Sequence, residues 1–439
     1  MNRRTNRRRF LRNTALAGVS IWVAGSGRTA QCRSPNEKLN IGIIGADGRG
    51  GDNAGAVSSE NIVALCDVDE KRLEKAAQRF PKAQKYIDWR KLLEQKDLDA
   101  VVVSTTDHTH ALACVWAMNR GLSVYCEKPL AHSAYEARVM QDTYNKNKDK
   151  LATQMGTQIH AEPNYRRVVE LVQSGAIGPV REAHVWCDRR GLPDERATRP
   201  QEQPPVPPHL HWDLWLGPAP WRPYNPKYLP GCMTWEQWWD FGNGCLGDMG
   251  SHLIDLPFWA LKLRDPLAVE AEGAQLRAET YPEWLVVHWE HPARGDMPPV
   301  KLHWYDGIQK PKVAVPGHDI NQWGQGILFV GDNGMLLADY GKKILAPEDK
   351  FKDFKPPEPW IEPSRGHYLE WLHGVKTGAP TLCNFDYSGK LVENNLLGTV
   401  ALRVGKKLAW DAKTMKATNC PEADQYIRRQ YREGWTLEG

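Results

Sequence analysis

The sequence predicts an amino-terminal α/β domain followed by a carboxy-terminal α+β domain with an open, mostly antiparallel sheet. The chain has 439 residues, which is long for one domain and suits two. Apolar strand-like runs alternate with helical patterns over residues 39–155, and this alternation is typical of a parallel sheet. Short strand-like runs then follow one another over residues 266–345, which indicates a second sheet. We divide the chain into a leader (1–36), a first domain (37–155) and a second domain (156–439).

The first domain opens with a strand, a glycine-containing loop and a helix. Residues 39–44 are apolar, the loop of residues 45–50 follows, and a second strand at residues 61–66 ends at Asp67. Glycines let a backbone approach a pyrophosphate, a helix amino terminus supplies N–H donors, and an acid about 20 residues further on accepts ribose hydroxyls. This order predicts a Rossmann unit that binds NAD. NADP is disfavoured, because the carboxylate of Asp67 would repel its 2′-phosphate.

Asp47 departs from the usual loop pattern. In the G-x-G-x-x-G register the second glycine would stand at position 47, and a carboxylate beside a pyrophosphate is unfavourable. We expect Asp47 to turn away and cap the helix, while Gly48 restores the close approach of the backbone. A glycine-rich turn that binds no ligand is the alternative interpretation.

Two further strands place polar residues at the same edge of the predicted sheet. Residues 99–105 lead into a polar segment and a helix, and residues 122–126 end at Glu127, Lys128 and Pro129. Ligands of open α/β sheets bind at the carboxyl ends of the strands. Lys128 precedes a proline, which restricts its backbone and aims its ammonium at the site; a lysine in a surface loop is the alternative. The predicted cofactor-binding residues are Gly45, Ala46, Asp47, Gly48, Arg49, Gly50, Asp67, Thr105, Thr106, His110, Glu127 and Lys128.

The start of the second domain contains a proline-rich tract. A short strand at residues 152–158, a helix near residues 164–174 and a strand near residues 180–186 come first. Eleven of the 31 prolines then lie between Pro193 and Pro230, together with several tryptophans. The aromatic residues predict an ordered excursion packed over a site or a subunit contact.

An aspartate and a histidine follow, at the start of an apolar helical pattern over about residues 249–261. Asp248 would stand at the amino terminus of this helix, and His252 would lie one turn later on the same face. An imidazole oriented by a carboxylate is a general base poised near neutrality. A simple helix cap for Asp248 and a core histidine at 252 are equally compatible with the sequence.

The remainder of the second domain is predicted as strands followed by two helices. Asp332-Asn333-Gly334 is a tight hairpin signal. A sheet with one open face often buries that face in an oligomer, so we expect a homo-oligomer, a dimer or a tetramer. The strands are expected at residues 285–289, 300–304, 327–330 and 335–338, and the helices near residues 365–377 and 387–404.

Charge is distributed unevenly along the chain. The formal net charge is +4, but the first 36 residues hold eight arginines and no acid, and the remainder has 49 basic against 53 acidic side chains. Such a surface has no electrostatic footprint for nucleic acid. After the amino terminus no run of about 18 apolar residues occurs, so we expect no membrane span.

The amino terminus resembles an export signal. Residues 6–12 contain a paired arginine followed by Phe10 and Leu11, and a mild apolar stretch covers about residues 14–24. This pattern is typical of the twin-arginine route; a basic disordered tail is the alternative. We expect a periplasmic or otherwise exported protein that acquires NAD before export and retains it tightly.

The nine cysteines are scattered and contain no CxxC pair. Their spacing predicts neither a disulfide framework nor a zinc site, and we expect no metal.

The combination of Glu127-Lys128-Pro129, the glycine loop and the Asp248–His252 pair resembles the Gfo/Idh/MocA oxidoreductases, a family that includes glucose-fructose oxidoreductase and inositol dehydrogenase. The resemblance runs from about Lys38 to the end of the chain, and residues 212–255 resemble the branch exported by the twin-arginine route. It implies that Lys128 contacts the substrate hydroxyl and the nicotinamide ribose. It also implies that His252 takes the hydroxyl proton as hydride leaves for the nicotinamide, and that Asp248 orients His252 or binds a neighbouring sugar hydroxyl.

The resemblance also implies a cis peptide bond between Lys128 and Pro129. Two positions depart from the family pattern: Asp47 replaces a glycine, and Thr106 stands where a proline is usual.

The resulting prediction is an NAD-dependent oxidoreductase that acts on a hydroxyl of a sugar, polyol or glycoside. A redox-neutral keto-sugar enzyme (an epimerase, a lyase or a glycosidase) that uses the same site is one alternative, and a non-catalytic sugar-binding module is another. The candidate substrate-lining residues are Gln158, Tyr165, Arg166, Trp212, Trp235 and Trp239.

Overall fold

Two β-sheets organise the part of the chain that the structure describes. The structure, a computed structural model, describes residues 37–438, so the predicted leader lies outside the described residues. One sheet has six strands and the other has nine. The strands are β1 Asn40–Ile44, β2 Asn61–Cys66, β3 Gln84–Tyr86, β4 Ala100–Val103, β5 Ser123–Cys126, β6 Thr153–Met155, β7 Val180–Cys187, β8 Ala268–Gly273, β9 Leu285–His291, β10 Val300–Asp306, β11 Gln325–Gly331, β12 Gly334–Ala338, β13 Lys343–Ala346, β14 Leu408–Asp411 and β15 Lys416–Ala417.

Helices connect and cover these strands. The α-helices are α1 Arg49–Ala56, α2 Glu70–Arg79, α3 Trp89–Leu92, α4 Asp107–Asn119, α5 Ala134–Asn147, α6 Pro163–Gln173, α7 Trp212–Leu216, α8 Cys232–Trp235, α9 Gly244–Asp248, α10 Gly250–Leu253, α11 Asp255–Ala260, α12 Glu348–Phe351, α13 His367–Thr377, α14 Phe385–Val404 and α15 Asp424–Ile427. Short 3₁₀ helices are Gln158–Ala161, Asp194–Arg196, Pro226–Tyr228, Ile320–Gln322 and Pro421–Ala423.

The six-stranded sheet is parallel and has the order β3-β2-β1-β4-β5-β6. All residues of β4 and β5 are buried, as expected for strands covered by helices on both faces. This is the strand order of a doubly wound nucleotide-binding sheet, and it confirms the predicted Rossmann fold. The strand predicted at residues 61–66 agrees with β2 at both ends.

The nine-stranded sheet is mixed but mostly antiparallel, in the order β13-β12-β11-β7-β10-β9-β8-β14-β15. Only the pair β7–β10 is parallel among the described strands. Gly331 pairs with Gly334 across the predicted hairpin. The predicted α+β second domain is therefore confirmed.

The inner face of the nine-stranded sheet packs against the long helix α14. Trp289 of β9 is fully buried, and its Nε1 donates to the carbonyl oxygen of Asn394 at 2.8 Å. A Cβ at Gly398 would lie 3.0 Å from Val287, so the absence of a side chain lets the helix approach the sheet. α14 also contacts α5, where Arg138 donates to both carboxylate oxygens of Glu393 at 3.0 and 2.8 Å. This helix thus joins the second sheet to the Rossmann unit.

The outer face of the same sheet is only partly covered. At one end, Val315 and Ile320 pack on Leu328, Leu337 and Trp186 in a separate apolar cluster. Across β7, β10, β9 and β8 the outer face instead carries histidines and glutamates.

The helix predicted at residues 249–261 differs from the structure. Three short helices, α9, α10 and α11, follow one another, and the first begins at Gly244, whose φ of +58° only glycine adopts readily. Asp248 therefore ends α9 instead of capping a longer helix. The sequence analysis took the glycine-rich residues before Asp248 for a loop, whereas they form the first helical turn.

Among the described residues, no helix combines the length and the apolar character needed to cross a membrane.

Candidate active site and cofactor cavity

The glycine loop between β1 and α1 has the geometry that a dinucleotide requires. Gly45 and Gly48 have φ values of +83° and +56°, and a Cβ at Gly50 would lie only 1.6 Å from the carbonyl oxygen of Gly45. α1 begins at Arg49, and its cap residue Gly48 provides no side-chain hydrogen bond. The first N–H groups of the helix thus lack a side-chain cap, which is the arrangement that binds phosphate at helix amino termini.

Asp67 lies at the carboxyl end of β2, beside this loop. Its carboxylate accepts hydrogen bonds from the amides of Ala46 at 3.1 Å and Asp69 at 3.0 Å. Burial raises the pKa of Asp67 above its usual value. The contact with Ala46 fixes the carboxylate against the loop that would carry the pyrophosphate, as the prediction of a ribose-binding acid requires.

Asp47 does turn away from the helix, but it does not cap it. Its Oδ1 pairs with Nζ of Lys75 at 2.8 Å. Burial raises the pKa of Asp47, but the bonds from Lys75 and the Gly48 amide outweigh this, and the pKa lies below its usual value. The expected cap is therefore wrong, because a lysine of α2 provides a stronger partner than a helix amide.

A cavity of 370 Å³ lies between the glycine loop and the proline-rich excursion. One wall contains predicted cofactor residues, and the other contains Leu210, Leu214, Trp215, Leu229 and Trp235. We call residues 209–235, which supply this second wall, the aromatic cover. Of the predicted cofactor residues, Gly45, Asp47, Gly48, Arg49, Asp67, Thr105 and Thr106 line the cavity, whereas Ala46, Gly50, His110, Glu127 and Lys128 lie outside its lining.

Backbone bonds tie the aromatic cover to the Rossmann unit. The amide of Glu70 donates to the carbonyl oxygen of His209, and the amide of His211 donates to that of Val68, both at 2.9 Å. The side chains of His211 and Glu70 also meet at 2.8 Å. The predicted excursion is therefore an ordered wall of the cofactor cavity.

The carboxylate of Glu127 collects donors at the carboxyl end of β5. It accepts from Arg49 at 2.9 Å, from Asn53 at 3.0 Å and from Gln158 at 3.3 Å. Tyr368 of α13 donates to Asn53 at 2.7 Å and accepts from Arg49 at 3.3 Å. Glu127 and Arg49 thus link the glycine loop to the second domain.

Lys128 and Asp248 are brought together across 120 residues of sequence. The ammonium of Lys128 pairs with Oδ1 of Asp248, and the guanidinium of Arg189 pairs with Oδ2. Arg189 also contacts Glu236 at 3.3 Å. Burial raises the pKa of Glu236 to about 7, although Arg189 opposes this shift. The four side chains form a chain of alternating charge beside the end of β7.

His252 is not oriented by Asp248, as the sequence analysis expected. Its Nδ1 lies 3.2 Å from the hydroxyl of Thr157, and that hydroxyl donates to the carbonyl oxygen of Ser251 at 3.0 Å. A hydroxyl has one proton to donate, so its contact with His252 must be donated by the ring. Nδ1 therefore carries the proton, and Nε2 keeps its lone pair. The reason for the correction is that both oxygens of Asp248 are already engaged by Lys128 and Arg189.

The imidazole of His252 is neutral over a wide pH range. Burial, together with the charges of Arg49 and Arg189, lowers its pKa to about 4. Tyr165 fixes the backbone at this point, because its hydroxyl donates to the carbonyl oxygen of His252 at 3.0 Å. A neutral ring with a free Nε2 can accept a proton from a substrate hydroxyl.

Several predicted site residues lie elsewhere. His110 holds the segments that follow β4 and β5, because its ring nitrogens face the carbonyl oxygens of Pro129 at 2.8 Å and Thr105 at 3.0 Å. Arg166 is buried against Glu370 at 2.8 Å, and Tyr165 is fully buried. These residues satisfy their polar groups within the protein and are not free to line a substrate pocket.

The three predicted tryptophans have different positions. Trp235 lines the cofactor cavity. Trp212 stacks on Trp215 inside the aromatic cover, with ring centroids 4.8 Å apart, and is buried. Trp239 lines a separate cavity of 310 Å³. Gln158, in contrast, lies beside Glu127 as a site residue should.

Sequence reasoning missed Thr157 and Arg189. Thr157 directly follows β6 and Arg189 closely follows β7, so their positions at strand ends were the available signal. Neither belongs to a motif with fixed spacing.

Two family matches cover most of the described chain. Residues 39–155 match the domain described as "Oxidoreductase family, NAD-binding Rossmann fold", and residues 196–437 match "Oxidoreductase family, C-terminal alpha/beta domain". The second match alone spans more than half of the chain. The chain belongs to the Gfo/Idh/MocA oxidoreductase family. The family resemblance is thereby confirmed, as is the NAD-binding Rossmann domain, while the exported branch stays a prediction. The Lys128–Pro129 bond is cis, as the resemblance implied.

Similar proteins of this family include inositol dehydrogenases. The inositol 2-dehydrogenase of Salmonella typhimurium is 31% identical over 145 residues, which are 32% of this chain and 43% of that protein. An inositol 2-dehydrogenase of Saccharopolyspora erythraea is 34% identical over 162 residues, 35% of this chain and 47% of its own length. The chain therefore spans less than half the length of these curated relatives.

Solved structures share the fold over most of the chain. The WlbA dehydrogenase from Bordetella pertussis, in complex with NADH and UDP-GlcNAcA, is 15% identical and has a TM-score of 0.60. The likeness covers 86% of this chain and 98% of that one. At this identity the likeness concerns the fold alone.

Proposed function

We propose that this Gfo/Idh/MocA family member is an NAD-dependent oxidoreductase that acts on a hydroxyl of a sugar, polyol or glycoside. The observation that carries the proposal is the imidazole of His252. Thr157 fixes its tautomer so that Nε2 is free, and the charge of Arg189 in the Lys128–Asp248 network acts on its pKa. A neutral base beside a held ammonium suits removal of a hydroxyl proton.

The residues have separate tasks in this proposal. Nε2 of His252 accepts the hydroxyl proton of the substrate. The ammonium of Lys128, held by Asp248, donates a hydrogen bond to the same oxygen and stabilises the negative charge that develops on it. Arg189 holds the other oxygen of Asp248. Bound NAD would accept the hydride from the carbon.

The cofactor would lie in the 370 Å³ cavity. The glycine loop would hold the pyrophosphate, and Asp67 would accept the ribose hydroxyls. NAD is favoured over NADP, because the carboxylates of Asp47, Asp67 and Asp69 line this cavity against the single charge of Arg72 and that of Arg49. A 2′-phosphate would therefore meet more negative than positive charge.

The names of the relatives favour a sugar-like or polyol substrate. Some similar proteins are inositol dehydrogenases, and one structural relative was solved with a nucleotide sugar acid. These names support the substrate class for this chain and do not single out one compound.

A redox-neutral reaction is the second candidate, and the aromatic cover favours it. A wall packed over the cofactor cavity would slow exchange of NAD, so each hydride removed would have to be returned before the next turnover. Oxidation next to a carbon–hydrogen bond acidifies that bond, which permits epimerisation or elimination. Export with bound NAD, and a homo-oligomer formed through the open sheet, also remain proposals.

Absorbance of the nicotinamide tests the proposal. Purified protein with bound NAD is mixed with a panel of sugars, polyols and glycosides, and the absorbance of the reduced cofactor is followed while products are identified by mass spectrometry. A lasting rise with an oxidised product supports the dehydrogenase. A rise that decays while an epimer or a cleaved glycoside accumulates supports the redox-neutral reaction.

A variant separates catalysis from binding. His252→Asn should keep NAD and sugar binding but lose the absorbance change. If no compound changes the absorbance of the wild-type protein while sugars still bind, the non-catalytic sugar-binding module is the better description.

A further inference from the structure

A cluster of histidines and a glutamate lies on the outer face of the nine-stranded sheet, and no step of the proposed reaction uses it. Glu182 and His184 stand two residues apart on β7 and share a face. His303 of β10 is directly opposite His184, and His288 of β9 is directly opposite His303. Three imidazoles thus form a row across three neighbouring strands.

The ligand atoms of this row lie within reach of one ion. Glu182, His184 and His303 each offer an atom within 4.8 Å of the others. Nε2 of His184 is 3.3 Å from a carboxylate oxygen of Glu182. The rings of His184 and His303 stack at 4.6 Å between centroids, so one ring must rotate to aim its nitrogen at a shared ion. Such rotation is cheap, because the second side-chain torsion of histidine is broad.

The remaining ring nitrogens have partners that suit metal-binding histidines. Nδ1 of His184 lies 3.1 Å from the hydroxyl of Tyr305, and Nδ1 of His303 lies 2.5 Å from Nδ1 of His288. A histidine that binds a metal through one nitrogen almost always engages the other in a hydrogen bond, which fixes the tautomer. The carboxylate–imidazole set is one that Zn²⁺ accepts.

The surroundings are accessible and favour a cation. The side chain of Glu182 is 43% exposed. Glu270 lies directly opposite His288, and Glu272 shares its face, whereas Lys301 opposite Glu182 is the one lysine at these register positions. Seven residues separate Glu182 from Arg189, roughly 23 Å of extended chain. The cluster is therefore separate from the candidate active site.

We infer that Glu182, His184 and His303 form a binding site for a divalent transition metal such as Zn²⁺, with Tyr305 and His288 as supporting partners. The sequence analysis expects no metal, because these ligands come from separate strands and show no characteristic spacing. Three protein ligands leave a further coordination position for water or for His288 after rotation.

Zinc titration of the full chain tests the inference. Protein stripped with a chelator is titrated with ZnCl₂ in a calorimeter, and Co²⁺ is added in parallel so that its visible absorption reports the coordination. We expect one ion per chain for the wild-type protein. The variants H184A, H303A and E182Q should each weaken zinc binding by at least about tenfold, since loss of even an outer partner of a metal ligand typically costs 10–100-fold. Y305F should weaken it by about tenfold.

The matched control is H318A, since His318 lies 2.9 Å from Glu348 but has no second imidazole in the cluster. It should bind zinc like the wild type. Circular dichroism without metal checks that each variant folds, and E182Q is the safest because Glu182 is largely exposed. Zinc binding that persists unchanged in E182Q, H184A and H303A, or no stoichiometric binding by the wild type, would overturn the inference.

Discussion

At the scale of single residues, the function depends on which nitrogen of His252 carries a proton. The hydroxyl of Thr157 decides this, because it spends its own proton on the carbonyl oxygen of Ser251 and can only accept from the ring. The arrangement resembles the general rule that a catalytic histidine is oriented by the partner of its other nitrogen. Here the partner is neutral, so it does not raise the pKa of the ring.

Replacement of Thr157 tests this orientation. Thr157→Val keeps the shape of the side chain but removes the acceptor, and kcat/KM for the active substrate should fall roughly two- to twelvefold, the value of a neutral hydrogen bond of about 0.5–1.5 kcal/mol. Thr157→Ser keeps the hydroxyl and should retain the wild-type value. Equal losses in both variants would show that packing, and not the hydrogen bond, is responsible.

The pH dependence of kcat/KM reports the state of His252. Its pKa is lowered to about 4 from 6.5, first by burial and then by the nearby cations, and only the neutral ring can accept a proton. Activity should therefore rise with pH through a pKa of about 4 and show no step near 6.5. An acidic limb near 6.5 contradicts the assignment.

Stability must be followed in the same experiment. A histidine whose pKa is lowered in the folded protein stabilises the fold above its unfolded value, and this contribution is lost as the pH falls from 6.5 towards 4. Circular dichroism at each pH separates loss of activity from loss of the fold.

Asp248 is predicted to act through Lys128 and not through His252. In Asp248→Asn, one side-chain atom becomes a donor and faces either Lys128 or Arg189, both of which can only donate. Loss of a hydrogen bond to a charged group is worth about 1.5–3 kcal/mol, so kcat/KM should fall roughly 10- to 150-fold. Asp240→Asn is the matched control, because Asp240 also pairs with an arginine, Arg222, outside the site. If the acidic limb of the pH profile moves in Asp248→Asn but not in Thr157→Val, Asp248 is the residue that acts on His252.

At the scale of elements, the aromatic cover sets how long NAD stays bound. Trp235→Ala removes a large apolar side chain from the cavity wall and should increase the rate of NAD release by about tenfold, the equivalent of about 1.4 kcal/mol. Release is measured by dilution of the NAD-bound protein into a trap for free NAD. Trp360→Ala, at an exposed tryptophan that does not line the cavity, should leave the rate unchanged. A rate that is the same in all three proteins means that the cover does not retain the cofactor.

Local patterns in the sequence predict the elements better than they predict the site. The strand that ends at Asp67, the glycine loop and the hairpin at Gly334 depend on residues that are close in sequence, and the structure contains all three. The pairs Lys128–Asp248 and Thr157–His252 join residues 120 and 95 positions apart, and only packing of the two domains brings them together. The same distance in sequence explains why Asp248 was assigned to the histidine beside it.

At the scale of the whole molecule, NAD would bridge parts of the chain that are far apart. The cavity is lined by the Rossmann strand ends and by the aromatic cover, and Tyr368 of α13 contacts the loop residue Arg49 from the second domain. Helix α14 joins the second sheet to α5. A ligand in this cavity therefore contacts only the assembled protein, and its binding free energy adds to the stability of the whole fold.

The last prediction concerns this coupling. NAD at 100 times its Kd should raise the free energy of unfolding by about 2.7 kcal/mol, because a ligand that binds only the folded state stabilises it by mass action. NADP at the same concentration should stabilise less, since its 2′-phosphate would meet Asp67 and the neighbouring carboxylates. Unfolding in urea with each nucleotide measures both values. Asp67→Asn removes the charge but keeps the shape, and it should narrow the gap between the two nucleotides. Equal stabilisation of the wild-type protein by NAD and NADP would contradict the proposed selectivity without touching the assignment of His252, because the two depend on different ends of the cofactor.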